Sequence, residues 1–459
     1  MNVIAELRAQ LGSVVVQGAD EFDVRHMGDV ALISPAEARP LAVTYPRTTE
    51  DVSAILRICN DHAQPVVAQG GLTGLAGGAT PHAGWVVISL DRMRQIEEVD
   101  PAAATMTVQA GVPLQRVQEA ADEADLIFPL DLGARGSCAI GGNASTNAGG
   151  NRVLRYGMTR ELVLGLEAVL PDGTVITSLN KMLKNNTGYD LKHLFIGSEG
   201  TLGVITRLVL RLYPKPRSVS TALCAAESYD AVLKLLRAAK VGLAGTLSAF
   251  EVMWPDYYRL CTEGLGRRPP LPVGSAFYVL VEAMGSDQAP DQARFEALVA
   301  ETLEQGLTTG AVIAQSERES RTFWEIRDAS GELRRVMGPT VGFDVSLPVG
   351  KIDDFVQACT QRLRAQWPEM KAVFFGHVAD SNIHIGVHVD ESPLPRAAVG
   401  KIVYEAVREW RGSISAEHGI GVLKKDYLRF SRSDAEIALM RRIKAALDPA
   451  GILNPGKIF

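Results

Sequence analysis

Residues 68–81 read AQGGLTGLAGGATP, with five glycines in fourteen positions. They follow Pro65-Val66-Val67, an apolar run of the kind that favours a strand. A strand that ends in such a loop lets backbone N–H groups approach a ligand closely, because glycine has no Cβ and reaches conformations closed to other residues. Successive amides turned the same way make a nest for an anion, and a pyrophosphate is the natural guest. Taken alone, the loop is equally well explained as a turn.

Two further loops of this kind lie in the same half of the chain. They are PLDLGARGSCAIGGNASTNAGGN (129–151) and KNNTGYDLKHLFIGSEGTLGVIT (184–206). Three together shift the reading towards a dinucleotide. No G-x-G-x-x-G is present, which disfavours a Rossmann domain and with it NAD. GILNPGKI (451–458) mimics a P-loop but has Ile458 where Ser or Thr is required and no helix after it, so it is rejected as a triphosphate site.

Between the loops the pattern gives a capped helix over 46–63 and strands at 84–90 and 106–112. A helix follows at 114–124, then two strands about the Pro-Asp-Gly turn of 161–176, and a long strand over 203–216. From about 217 the character changes. Helical stretches such as SYDAVLKLLRAAKV (228–241) alternate with strands such as SAFYVLVEAM (275–284), which predicts a separate α+β domain on an antiparallel sheet. Residues 434–448 read as a last helix. The expected division is 1–216, 217–410 and 411–459.

At 459 residues the chain is too long for one core. A net charge of −6 argues against nucleic acid as a partner. No apolar run approaches the ~20 residues of a membrane span, and MNVIAELRAQLG lacks a signal-peptide core, so a cytoplasmic protein is the expectation. The five cysteines form no C-x-x-C pair, which leaves no zinc ribbon or iron–sulfur pattern.

Residues 376–389, GHVADSNIHIGVHV, hold His377, His384 and His388 among strand-forming residues. A hairpin turning at Asp380-Ser381 would pair 378 with 383 and 377 with 384, setting His377 and His384 ~5 Å apart on one face. They could hold one ion between them, or they could merely line a solvated face. His388 shares the face of His384 by alternation.

VVAQGGLTGLAGGA, GGNASTNAGGNRVLRYG and NNTGYDLKHLFIGSEGTLGVIT together resemble the FAD-binding domain of the vanillyl-alcohol oxidase / p-cresol methylhydroxylase flavoproteins. GHVADSNIHI, SAEHGIGVLKK and LDPAGILNPGKIF resemble its D-2-hydroxyacid dehydrogenase branch, which includes D-lactate and D-2-hydroxyglutarate dehydrogenases and the glycolate oxidase flavin subunit. The resemblance implies an α+β fold, a two-subdomain FAD-binding domain of p-cresol methylhydroxylase type with an α+β cap domain on an antiparallel sheet. It implies that Gly70, Gly71, Leu72, Thr73 and Gly74 wrap the FAD pyrophosphate. Pro129, Gly141, Gly142, Asn143, Ser145, Thr146 and Gly149 would lie along the flavin and ribityl chain. Gly203, Val204 and Ile205 would meet the adenine side, and Asn454 would return to the flavin. Neither histidine nor cysteine occurs in the first loop, so non-covalent FAD is expected.

The same resemblance makes His377, His384 and Glu417 ligands of a divalent metal, zinc by preference, a donor set that suits such an ion. The ion would chelate a D-2-hydroxy acid and lower its hydroxyl pKa. His418 would take the hydroxyl proton while the Cα hydride passes to flavin N5. Asn382 resembles a substrate-contacting asparagine, and Arg327 the arginine that clamps the substrate carboxylate. His388 has no counterpart and reads as structural. Hydroxyglutarate-specific relatives often carry a lysine where this chain has Gly342, which puts a dicarboxylate substrate in doubt unless Arg334 or Arg335 supplies the charge.

The implied activity is oxidation of D-lactate or D-2-hydroxyglutarate, with electrons leaving through an acceptor protein or quinone. A homodimer is the candidate assembly. Two other readings stay open: a glycolate oxidase-type flavin subunit that needs partner chains, and a metallohydrolase, which leaves the glycine loops unexplained.

Overall fold

The computed structural model describes residues 2–12, 15–18, 20–35 and 38–459. The chain divides into two compact units, the first from Met1–Gly150, Tyr156–Lys215 and Glu417–Phe459, the second from Asn151–Arg155 and Pro216–Ala416. Among the described residues no helix is long and apolar enough to cross a membrane.

The first unit has two principal sheets. In the four-stranded one, Val16–Gly18 pairs antiparallel with Ala42–Thr44, and Ala42–Thr44, Val86–Ser89 and Val66–Gln69 run parallel in that spatial order. The helix Thr49–Asp61 makes the crossover. Thr48 caps it by accepting from the Asp51 amide, Glu50 and Asp51 suit the positive end of its dipole, and Val52, Ile55, Leu56, Ile58 and Cys59 form its buried face. Every residue of Val86–Ser89 is buried, as a central parallel strand requires.

The second sheet is antiparallel, in the order Ile96–Asp100, Thr105–Gln109, Val204–Arg211, Val163–Val169, Val175–Ser178. The strand expected over 203–216 is broken at its end, where Tyr213–Pro214 pairs separately with Leu126–Ile127. One apolar core, including Ile55, Ile88, Val108, Leu166 and Leu208, serves both sheets.

The second unit is built on seven antiparallel strands. Their order is Gly310–Ile313, Ser218–Ala226, Phe277–Gly285, Leu247–Met253, Lys371–Gly376, Asn382–His388, Val341–Ser346. Stacked aromatics, Tyr258 on Tyr278 and Tyr257 on Phe375, consolidate its core.

The histidine hairpin forms in a different register from the one expected. His384 lies opposite Phe375, not His377, and His388 opposite Lys371. His377 stands outside the strand and precedes a short 3₁₀ turn, Val378–Asp380. That turn, closed by Ser381 at φ +79°, takes up residues that a tighter hairpin would have paired.

Candidate functional site

A cavity of about 390 Å³ opens in the first unit where the three glycine loops meet. Gly70, Gly71, Leu72, Thr73 and Gly74 form one part of its wall. Gly141, Gly142, Asn143, Ser145, Thr146 and Gly149 form a second, and Gly203, Val204 and Ile205 a third. Two glycines are fixed by close backbone approach. A Cβ on Gly71 would lie 1.9 Å from the Ser137 carbonyl oxygen, and one on Gly141 would lie 2.5 Å from the Ala110 Cβ. Gly142 differs, since a Cβ there would meet nothing within 4 Å. Ser145 and Thr146 turn their hydroxyls back onto the carbonyls of Gly141 and Gly142, at 2.8 and 3.1 Å.

Pro129 is buried but is not part of the wall. Asn454 stands behind it. Its Nδ2 donates to the carbonyls of Gly78 (2.9 Å) and Glu199 (2.8 Å) from a backbone at φ +43°. Both amide protons of Asn454 thus tie two loops together, while its Oδ1 is buried without a hydrogen-bond partner among the described residues.

The wall also holds residues that no loop motif singled out, among them Asp29, Leu132, Cys138 and Glu199. Asp29 gave no sequence signal, being one acid in an unremarkable segment. Glu199 lay in the quoted GSEG and could have been suspected there. Burial holds the Cys138 thiol above its ordinary pKa.

The cavity fits a flavin dinucleotide. Its size falls in the usual ~300–1,000 Å³ range for ligand sites. Asn143 Oδ1 and Asp29 Oδ2 are buried without a hydrogen-bond partner among the described residues. A buried unsatisfied polar atom costs about 1–3 kcal/mol, so a bound donor would relieve both.

Glu417 and His418 open the last segment of this unit and line the same cavity. Glu417 Oε2 accepts from the Gly150 amide at 3.0 Å, and Oε1 lies 3.7 Å from His418 Nε2. The following turn is held by Glu199, which accepts from the amides of Ile420 and Gly421.

In the second unit, the His377 and His384 rings lie 5.5 Å apart, so the two imidazoles stay together despite the changed register. His377 is buried. Its Nδ1 is 2.5 Å from Glu251 Oε1, and its Nε2 is 2.9 Å from an Arg327 guanidinium nitrogen. Burial opposes ionisation of Glu251, but the charges of Arg327 and His377 prevail and pull its carboxyl down to about 2. Burial likewise opposes charging of His377, and Glu251 outweighs it, leaving the imidazole above its ordinary pKa.

Arg327, read as a substrate clamp, is held inside this group. Its Nε donates to Glu251 (2.8 Å) and its Nη1 to Asp328 (3.0 Å). Glu251 was missed in the sequence, although one acid in the otherwise apolar strand LSAFEVM was a usable signal. Asn382 is buried with Oδ1 unpartnered among the described residues, which suits a polar ligand. His388 Nδ1 lies 2.7 Å from the Pro339 carbonyl oxygen, a structural contact. Gly342 pairs with Gly386 and is exposed.

Two family models match the chain. A family described as FAD binding domain matches residues 40–178, and one described as FAD linked oxidases, C-terminal domain, matches 215–458. The chain is 41% identical over 413 residues to the mitochondrial D-2-hydroxyglutarate dehydrogenase of Danio rerio, covering 90% of this chain and 77% of that one. It is 40% identical over 427 residues to the D-2-hydroxyglutarate dehydrogenase of Xanthomonas citri pv. viticola, covering 92% and 89%. Among solved structures, p-cresol methylhydroxylase with substrate bound aligns at TM-score 0.78 and 18% identity, over 99% of this chain and 96% of that one. The 4-ethylphenol oxidase of Gulosibacter chungangensis aligns at 0.76 and 21%, over 100% and 96%. The two structures establish the likeness of fold.

Proposed function

The chain belongs to the FAD-linked oxidase family of flavoproteins, and on that footing we propose that it is a dehydrogenase that oxidises a D-2-hydroxy acid to the 2-oxo acid. The observation that carries this reading is the position of His418 in the wall of the glycine-lined cavity.

The glycine loops would hold the cofactor, non-covalently, in the cavity that Glu417 and His418 also line. FAD, when bound, supplies the acceptor for the Cα hydride. His418 takes the hydroxyl proton, the role of a positioned imidazole in general-base catalysis. His377, His384 and Glu417 are the residues that would hold a divalent ion, zinc by preference, and such an ion would acidify the substrate hydroxyl. Asn382 offers its buried, unpartnered oxygen to a polar substrate group. Arg327 supports this set through Glu251 and His377, with its guanidinium as the cationic neighbour of the substrate carboxylate.

D-Lactate and D-2-hydroxyglutarate are the favoured substrates, and the electrons leave to a separate protein or quinone. The test is anaerobic mixing of the purified yellow protein with both enantiomers of a panel of 2-hydroxy acids. A D-2-hydroxy acid bleaches the flavin band and the L-enantiomer does not. Bleaching by the L-series, or by no member of the panel, defeats the reading.

A further inference from the structure

Glu199 joins four separated segments of the first unit. Its amide donates to the Ser145 carbonyl at 2.8 Å, and its own carbonyl accepts from Asn454 Nδ2 at 2.8 Å. Its side chain crosses to the segment that carries His418, where Oε1 accepts from the Ile420 amide at 2.7 Å and Oε2 from the Gly421 amide at 2.8 Å. These are the second and third residues after His418, separated from it only by Gly419.

The fit is tight on both sides. A Cβ on Gly419, which sits at φ +79°, would come 2.9 Å from Glu199 Oε1. One on Gly421, at φ +51°, would strike the Ala76 carbonyl oxygen at 2.1 Å. Glu199 itself takes φ +52°, a left-handed backbone that a non-glycine residue holds only when its surroundings enforce it. Burial raises the pKa of this carboxyl, while the two amides and the charges of Lys424 and Lys457 lower it. Because both oxygens accept, the ionised form is the one the geometry fits.

We propose that Glu199 is a positioning residue for His418: its carboxylate clamps the two amides that follow and so fixes the turn that presents the imidazole to the cavity. The proposal rests on the reading of His418 as the base. It makes Glu199 a determinant of turnover and not of flavin retention, although it lines the flavin cavity.

The test compares Glu199→Gln, His418→Gln and the double variant, all as FAD-loaded holoenzymes with kcat expressed per bound flavin. Glutamine keeps the volume but turns one acceptor into a donor, so one of the two amides loses its partner. A small displacement of a reacting group costs up to ~10²-fold. Glu199→Gln is expected to keep the wild-type flavin-to-protein ratio and KM while kcat falls ~10–100-fold. The double variant is expected to be no slower than His418→Gln, because a misplaced group that has been removed cannot be misplaced further.

Full kcat in Glu199→Gln overturns the proposal, as does a double variant whose losses multiply. Loss of flavin that excess FAD does not restore assigns Glu199 to the cradle and overturns it too. Full turnover in His418→Gln alone removes the base assignment itself, an outcome visible before Glu199 enters.

Discussion

Lys457 Nζ lies 3.0 Å from the carbonyl oxygen of Gly77, 380 positions earlier in the chain. A second bond, 2.8 Å long, goes to the Thr80 carbonyl, and the side chain is almost wholly buried. One ammonium thus pins both ends of the turn that closes the first glycine loop. Replacing it, as Lys457→Met, strands the buried Thr80 carbonyl, at about 1–3 kcal/mol, and leaves the Gly77 carbonyl only the Thr80 amide, 3.4 Å away. A lower melting temperature and a reduced flavin-to-protein ratio are expected, read by thermal scan and by absorbance.

The same residue sets a pH dependence. Burial depresses the Lys457 pKa from 10.5 to about 8. Between those values the unfolded chain binds the proton and the folded protein has released it, so stability rises with pH across that window and the penalty is fully present below it. The rise amounts to at most about 1.4 kcal/mol per pH unit. The melting-temperature gap between wild type and Lys457→Met should therefore widen from about pH 8 towards 10.5. A gap that narrows would show that Lys457 stays charged.

Two glycines of the cavity wall separate packing from binding. Gly71→Ala drives a methyl to 1.9 Å from the Ser137 carbonyl oxygen, backbone against backbone, and should cost both stability and flavin. Gly142→Ala meets no protein atom within 4 Å. Its apo-protein should unfold within about 0.5 kcal/mol of wild type, while flavin titration shows weaker binding because the methyl enters the cavity.

Metal analysis distinguishes the neighbours Glu417 and His418. His418→Ala should keep the ion and lose ~10²–10⁴-fold in rate, the usual cost of a general base. Glu417→Ala should deplete the ion, and chelation of the wild type should abolish turnover while the protein stays yellow. Equal metal loss in both variants would reverse the two assignments.

Gly342→Lys tests the substrate. The position is exposed and a Cβ there meets nothing within 4 Å, so the strand Val341–Ser346 accommodates the change. A cation here should raise kcat/KM for D-2-hydroxyglutarate relative to D-lactate. An unchanged ratio would mean that the distal carboxylate is bound elsewhere or not at all.

The glycine loops could be read from the sequence because residue type carries the signal, although which glycines answer a close approach, as Gly71 and Gly141 do and Gly142 does not, is set by residues distant in the chain. The strands and the antiparallel second domain were legible through their short-range periodicity. The hairpin register was not, because it hinges on whether Val378–Asp380 coils into a 3₁₀ turn, and Ala, Asp and Ser permit either course. Glu199 and Glu251 could have been suspected, one in GSEG and one as the lone acid of LSAFEVM, but their partners, Ile420 and Arg327, are distant in sequence, so no role could be assigned. The NPGK motif was found, but that Asn454 Nδ2 and Lys457 Nζ bind backbone carbonyls of the first and third loops could not be read from residue type.

The first unit is assembled from three stretches of chain, the last beginning at Glu417, whereas Pro216–Ala416 is one continuous run. During synthesis the seven-stranded sheet has all its strands once that run has emerged. The cavity must wait for the third stretch, because Asn454 and Lys457, which tie its loops, lie in it. A chain cut short within the helix Asp434–Leu447 would carry every glycine loop and lack the ties that Asn454 and Lys457 make between them.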